Sequence, residues 1–448
     1  MILSEARGEV RRIEDFFSAK LSNKRDLRIY LPPGYSDYTN RRYPVLYMHD
    51  GQGLFDPGSF SQASWLVHET ADRLIAEGRL EEIIIVGIDN KGDERLHEFT
   101  FPLDATGGIP GAPDAECRGT LYERFIIDEL KPFIDRSFRT LPDRSHTGMM
   151  GSSLGGLVTY HIGFRNPAVF SKLGIVSPHF VRLDLNSLEE FPFYRSYGFN
   201  DLKLWIDIGE IEAHILTRHV REVVDELIGE GFIPGFGLAY CEVPDAAHTE
   251  HDWAERLQSP LLFMFGKVGR PVSLRLHGRG QIGLKGATYR LNPLISYDSG
   301  FAQTVLQGTY EVEFPEILEV QPDGTLVPKK PGTTQVRFVK GGLSDSQTIT
   351  VVEELPEYVN LSLRVKVPKD GRNSPYLLIG KLKVNRLADN DGVYGGELRL
   401  PRDIAFRFRI TTDTGVQEAG RNGKEAPFRI LKLPGDAAID YEVERWSE

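Results

Sequence analysis

Apolar and polar positions follow two different rhythms along this chain, and the change between them falls near Val268. In the first 267 residues, apolar runs at 43–49, 82–88 and 202–208 predict strands buried on both faces, as in a parallel sheet. Residues 121–138 and 214–229 carry apolar side chains at helical spacing and predict amphipathic helices. Alternation of this kind predicts an α/β fold, a mostly parallel sheet covered by helices on both faces. From Arg270 onward short alternating runs are separated by glycine, proline and Asn/Asp turns, without a long helix, which predicts all-β structure. The acidic stretch Glu353-Glu354-Leu355-Pro356 reads as a linker. The chain is therefore expected to divide into 1–267, 268–353 and 354–448, with few contacts across the break at Val268.

Composition narrows the function classes. A length of 448 residues with 40% apolar and 26% charged residues fits a soluble protein of two or three domains. No run approaches the ~20 apolar residues that a membrane span needs. Residues 1–12 lack an apolar h-region, so the cytoplasm is the expected compartment unless a leader has been removed. A net charge of -11 argues against a nucleic-acid partner. Cys117 and Cys241 are too few and too far apart for a disulfide framework or a metal-ligand motif. No Rossmann or P-loop pattern occurs, so no cofactor is expected.

Gly151-Ser152-Ser153-Leu154-Gly155 fits the G-x-S-x-G pattern of a nucleophile elbow. A serine hydroxyl attacks well only when a sharp strand-to-helix turn lifts it towards a base. Residues 146–150 read as the strand before that turn and 154–164 as the helix after it. Such a serine needs a base, an acid that orients the base, and donors for the oxyanion. After the strand at 202–208 stand Glu210 and Glu212, with Asp207 inside the strand as a third carboxylate. Further on, His248 and His251 supply two imidazoles. The order serine, acid, histidine is thereby met. The backbone amide of Leu154, next to the nucleophile, is one expected oxyanion donor, and the loop after His49 is expected to supply the other.

Several further segments carry a family resemblance: residues 28–35 (RIYLPPGY), 47–56 (YMHDGQGLFD), 139–144 (RTLPDR), 151–156, 166–171 (NPAVFS) and Ser177-Pro178. Together and in this order they resemble the esterase family of α/β-hydrolases that includes esterase D-like, feruloyl-esterase and enterochelin-esterase relatives, over residues 1–267. The resemblance implies an α/β-hydrolase domain with Ser153 as nucleophile. It places the acid three residues beyond the glycine ending its strand, at Glu212, with Asp207 and Glu210 as the other carboxylates. It also places a tryptophan five residues after the catalytic histidine, as in His248 to Trp253, which favours His248 over His251. The second oxyanion donor falls at Gly51, or at Gln52 if the register slips by one. The family lines its pocket with the loop at 91–117; Phe55, Phe60 and Phe101 are either part of an apolar slot or ordinary core.

The segment 320–338 (VQPDGTLVPKKPGTTQVRF) resembles a bacterial Ig-like repeat, and residues 359–410 resemble a starch-binding-type β-sandwich of the carbohydrate-binding modules. Such sandwiches stack sugars on exposed tryptophans, and here only Trp446 is available. A structural or dimerising role is equally expected, which leaves a homo-oligomer open. The expected activity is hydrolysis of small or aryl carboxylic esters through an acyl-enzyme. The alternatives are a carbohydrate esterase removing acetyl or feruloyl groups from glycan-linked esters, and a non-catalytic glycan-binding or assembly protein.

Overall fold

The computed structural model describes the chain apart from residues 1–6, 57–62, 104–107, 110–111, 184–189, 213, 287, 357, 370–373, 380–381, 388–391, 403–404, 421–425 and 448. Phe60 and parts of the 91–117 loop thus lie outside the described residues. An eight-stranded sheet organises the first part. Its strands are β1 (Glu9–Ser18), β2 (Asn23–Leu31), β3 (Val45–His49), β4 (Ile84–Ile88), β5 (Thr147–Ser152), β6 (Lys172–Val176), β7 (Lys203–Gly209) and β8 (Leu238–Val243). They run in the spatial order β1-β2-β4-β3-β5-β6-β7-β8. The β1/β2 and β2/β4 pairs are antiparallel, and every pair from β4 to β8 is parallel.

Alternate residues of the apolar strands serve opposite faces. Val45 and Tyr47, Ile84 and Val86, and Leu204 and Ile206 share one core with helix α2 (Gly119–Arg124, a π turn over Phe125–Leu130, and Lys131–Ser137), α3 (Leu154–Arg165) and α4 (His214–Glu230). Leu46, Met48, Ile85 and Trp205 face the other core, with α1 (Val67–Ala76), α5 (Glu250–Arg256) and α6 (Gln258–Phe265). Burial on both sides is why these strands read as apolar runs rather than alternating ones. The predicted strands and helices occur, with ends displaced by one or two residues where caps and turns take over.

The β-rich remainder begins at Pro271–His277, which pairs with Asn292–Tyr297 and then Ala302–Thr304 in a three-stranded sheet. A four-stranded sheet follows, built around the Gly332–Lys340 and Leu343–Val352 pair. Later, Tyr358–Lys366 lies between Val393–Pro401 and Ala437–Glu442. Residues 274–351 and 359–446 each enclose an apolar cluster of their own. Trp446 is spent on the second of these, at 7% exposure, so it offers no stacking surface.

The expectation of few contacts across Val268 is not met. Phe301 is buried in the same cluster as Trp205 and Phe263, its ring stacked 13° from parallel on Phe263. Beside it, the amide of Glu242 on β8 donates to Thr304 Oγ1 at 3.0 Å, and Asn292 Nδ2 donates to the Glu242 carbonyl at 2.9 Å. The cause is the sheet edge. β8 ends the sheet, and an uncovered edge strand exposes unpaired amides and carbonyls that the following segment satisfies.

Candidate active site

Ser153 sits between β5 and α3 with φ 59° and ψ -123°, a conformation few residues other than glycine adopt. Strain of that kind costs about 1–3 kcal/mol and persists only when neighbours enforce it. Here the Ser153 amide donates to the Val176 carbonyl at 3.0 Å, while its carbonyl accepts from the amides of Leu157 at 3.1 Å and His179 at 3.2 Å. The flanking glycines are required by close approach. A Cβ on Gly151 would lie 2.7 Å from the Gly155 backbone and 2.9 Å from His49. Helix α3 is buried from Gly155 through Phe164, so the turn is anchored in the domain centre while Ser153 itself keeps partial exposure.

The acid and base rise from neighbouring strand ends. Glu212 follows β7, and its side chain is wholly buried; His248 follows β8, with its side chain 32% exposed. His248 Nδ1 meets Glu212 Oε2 at 2.8 Å, leaving Nε2 to serve a serine hydroxyl. Glu212 Oε1 accepts from the Gly209 amide at 2.8 Å, Ser177 Oγ at 2.5 Å and Arg256 Nη2 at 3.1 Å. Burial opposes charge on this carboxyl, but the bond and charge of His248, the Arg256 cation and Ser177 outweigh it and hold it below the usual carboxylate range. Arg256 also donates through Nε to Asp207 Oδ1 at 3.1 Å and through Nη2 to Ser177 Oγ at 2.5 Å. Trp253 Nε1 donates to the same Ser177 hydroxyl at 3.0 Å and packs edge-on against the His248 ring. One buried cation thus lies between two wholly buried carboxylates, only one of which reaches the imidazole.

The bond from Ser153 Oγ to His248 Nε2 is not closed among the described residues. His179 stands on the serine side. Its amide bonds Ser153, and its imidazole feels the His248 charge. Burial first, then the charges of His248, Arg95 and Arg182, lower the His179 pKa to about 4, which keeps the ring neutral near pH 7.

Leu154 opens α3 and Gly51 opens a short 3-10 turn, Gly51–Gly53, at the end of β3; the first amides of a helix have no acceptor within it. Gly155 and Asp50 are close neighbours, since a Cβ on Gly155 would lie 3.2 Å from Asp50 Oδ2. The Gln52 side chain accepts from the Asn90 amide at 3.1 Å. Asp50 adopts φ 59° and is clamped by Arg95 through two 2.7 Å bonds and by Asn90 Nδ2 at 2.6 Å. The clamp fixes the loop that carries Gly51 and Gln52.

The structure therefore brings Glu212 and His248 together and sets Ser153, Leu154, Gly51 and Gln52 at the same end of the parallel strands. It sets three sequence candidates elsewhere. Asp207 lies behind Arg256, Glu210 accepts from the Asp245 amide at 3.2 Å, and His251 is exposed and paired with Glu255. Phe55 and Phe101 are core residues, at 2% and 4% exposure. Sequence reasoning missed Arg256, His179 and the Asp50–Arg95 clamp. For Arg256 a signal existed, three residues after Trp253 and hence on the same helical face. Among the described residues no group of three His, Cys, Asp or Glu side chains could hold a metal ion.

Known proteins resemble the first part of the chain. A family model described as Putative esterase matches residues 18–264. An endo-1,4-beta-xylanase/feruloyl esterase of Xylanibacter ruminicola is 33% identical over 172 residues, 36% of this chain and 20% of that protein, so the match spans a fifth of its length. The uncharacterized protein YbbA of Bacillus subtilis is 30% identical over 256 residues, 55% of this chain and 95% of that protein. A solved ferulic acid esterase from Anaeromyces mucronatus superposes with a TM-score of 0.44 at 18% identity, covering 58% of this chain and 92% of the other.

Proposed function

The chain belongs to the Putative esterase family, and on that premise we propose that it is a serine carboxylesterase with an α/β-hydrolase domain over 1–267, followed by an Ig-like β-sandwich over 268–353 and a carbohydrate-binding-like β-sandwich over 354–448. The observation that carries the reading is the 2.8 Å contact between buried Glu212 and His248 Nδ1, at the strand ends that also present the Ser153 elbow. In the proposed reaction His248 Nε2 takes the Ser153 proton as Oγ attacks the ester carbonyl. The oxyanion is met by the amides of Leu154 and of Gly51 or Gln52. Collapse expels the alcohol, which takes the proton from His248, and water repeats the sequence on the acyl-enzyme. Glu212 holds the imidazole tautomer and stabilises the imidazolium. Closure of the Ser153–His248 bond accompanies substrate binding, as catalytic bonds often tighten only in the complex.

A carbohydrate esterase acting on glycan-linked acetyl or feruloyl esters is the second reading, favoured by the relative named a xylanase/feruloyl esterase. A substrate panel separates the two. Comparable rates on p-nitrophenyl acetate and methyl ferulate, with none on acetylated or feruloylated xylan, support the first; a strong preference for the polymers supports the second. No hydrolysis of any ester by the full chain would end both.

A further inference from the structure

A cavity of about 560 Å3 lies apart from Ser153, Glu212 and His248, where three parts of the chain meet. Glu210 and Glu242 at the ends of β7 and β8 form one wall, Arg279, Tyr289 and Asn292 another, and Lys432 closes the third side. The volume is that of a small-molecule site. Four of its five lining Lys and Arg side chains have acidic partners. Arg290 meets Asp225 at 2.7 Å, Arg221 meets Asp225 at 3.0 Å, Arg218 meets Glu190 at 2.6 Å and Lys432 meets Glu210 at 3.6 Å. A cavity whose cations are mostly held by carboxylates concentrates an ion of either sign only weakly. What remains is a dense mixture of donors and acceptors, which suits groups that donate and accept at once. Hydroxyls do so.

Two details sharpen this. The Arg279 guanidinium lies 4.1 Å over the Tyr289 ring and donates to its hydroxyl at 3.1 Å, which fixes a flat polar wall. Glu242, half-buried, has the Tyr240 hydroxyl at 3.3 Å; burial, then the nearby Glu210 charge, push its pKa above the ordinary carboxylate range, a state that a donated hydroxyl would relieve.

We infer that this cavity is a second binding site, for an uncharged polyhydroxylated ligand, a short saccharide. Such a ligand bridges all three parts of the chain and touches Glu210 and Glu242, the residues from which the loops carrying Glu212 and His248 depart. The site is read by binding alone, so its fate is separable from that of the esterase reading. The test uses the full chain with Ser153→Ala, titrated with short neutral oligosaccharides of xylose and of glucose, and with inorganic phosphate and glucuronate, by saturation-transfer NMR. At least one neutral oligosaccharide should bind. Glu242→Gln should weaken it by about tenfold through a lost charged acceptor. Thr288→Trp, which fills the cavity from an exposed position, should abolish it with the melting transition unchanged. Failure of every neutral sugar to bind, binding that survives Thr288→Trp, or preference for the anions over the sugars would each overturn the inference.

Discussion

Replacing Arg256 with methionine isolates the buried network from the residues that touch substrate. The guanidinium contacts Asp207 Oδ1, Glu212 Oε1 and Ser177 Oγ within 3.1 Å, and both carboxylate side chains are fully buried. Removing one partner of a buried ion pair costs about 3–5 kcal/mol, because the remaining charge is left uncompensated. Here two carboxylates lose one cation, so Arg256→Met should fall in that range at pH 7. The pH dependence has a definite sign. Arg256 is one of the groups holding Glu212 below the usual carboxylate range, so this pair stabilises the fold above the unfolded carboxylate pKa and ceases to as pH falls through the folded value. Asp207 is raised, by burial first, with Arg256 pulling it down. Without Arg256 both carboxyls protonate more readily, so the deficit should shrink as pH is lowered from 7 to 5. The acid limb of kcat/KM should move to higher pH, since a protonated Glu212 no longer orients His248. Urea unfolding followed by tryptophan fluorescence reports on this region, because Trp65, Trp205 and Trp253 are buried there. A deficit below about 1 kcal/mol, or one that grows on acidification, would refute the reasoning.

Glu212→Ala should lower kcat by on the order of 10^4 and His248→Ala by on the order of 10^6, while Glu210→Gln keeps activity on a small aryl ester; a dead Glu210→Gln beside an active Glu212→Ala would reassign the acid. His49 and His161, buried and held neutral by desolvation with pKa values lowered to about 3 and about 4, each bind a proton on unfolding below pH ~6.5, so each should remove about 1.4 kcal/mol of stability per pH unit down to its folded value. His161→Gln should flatten that slope in unfolding curves taken between pH 6 and pH 4, and an unchanged slope would contradict it. Phe301→Ala should cost about 3–5 kcal/mol by opening a cavity against Trp205 and Phe263. Truncation after residue 267 should accordingly give a less stable domain, measured by its melting transition, and equal stability would show that the covering segment is dispensable.

The α/β pattern was legible because strands buried on two faces are apolar along most of their length, and the short, mostly apolar runs at 43–49, 82–88 and 202–208, alternating with helical segments, fit such strands. The elbow was legible for a similar reason, since its glycines answer a steric demand within five residues of chain. Among three carboxylates the choice was open on local grounds, because the side of Arg256 on which Asp207 and Glu212 fall is a tertiary fact. The Phe301 contact was illegible for the same reason. A break in periodicity marks where the secondary structure changes, but not where one apolar core ends, and a bare sheet edge recruits whatever strand comes next.

Covalent labelling tests the central claim most directly. The full chain treated with a fluorophosphonate and digested for peptide mass spectrometry should carry one phosphonyl group, on Ser153. Ser153→Ala should take no label and hydrolyse no ester, while Ser152→Ala should behave as the parent. Label on another residue, or ester hydrolysis at the parent rate by Ser153→Ala, would contradict the assignment of Ser153 as the nucleophile.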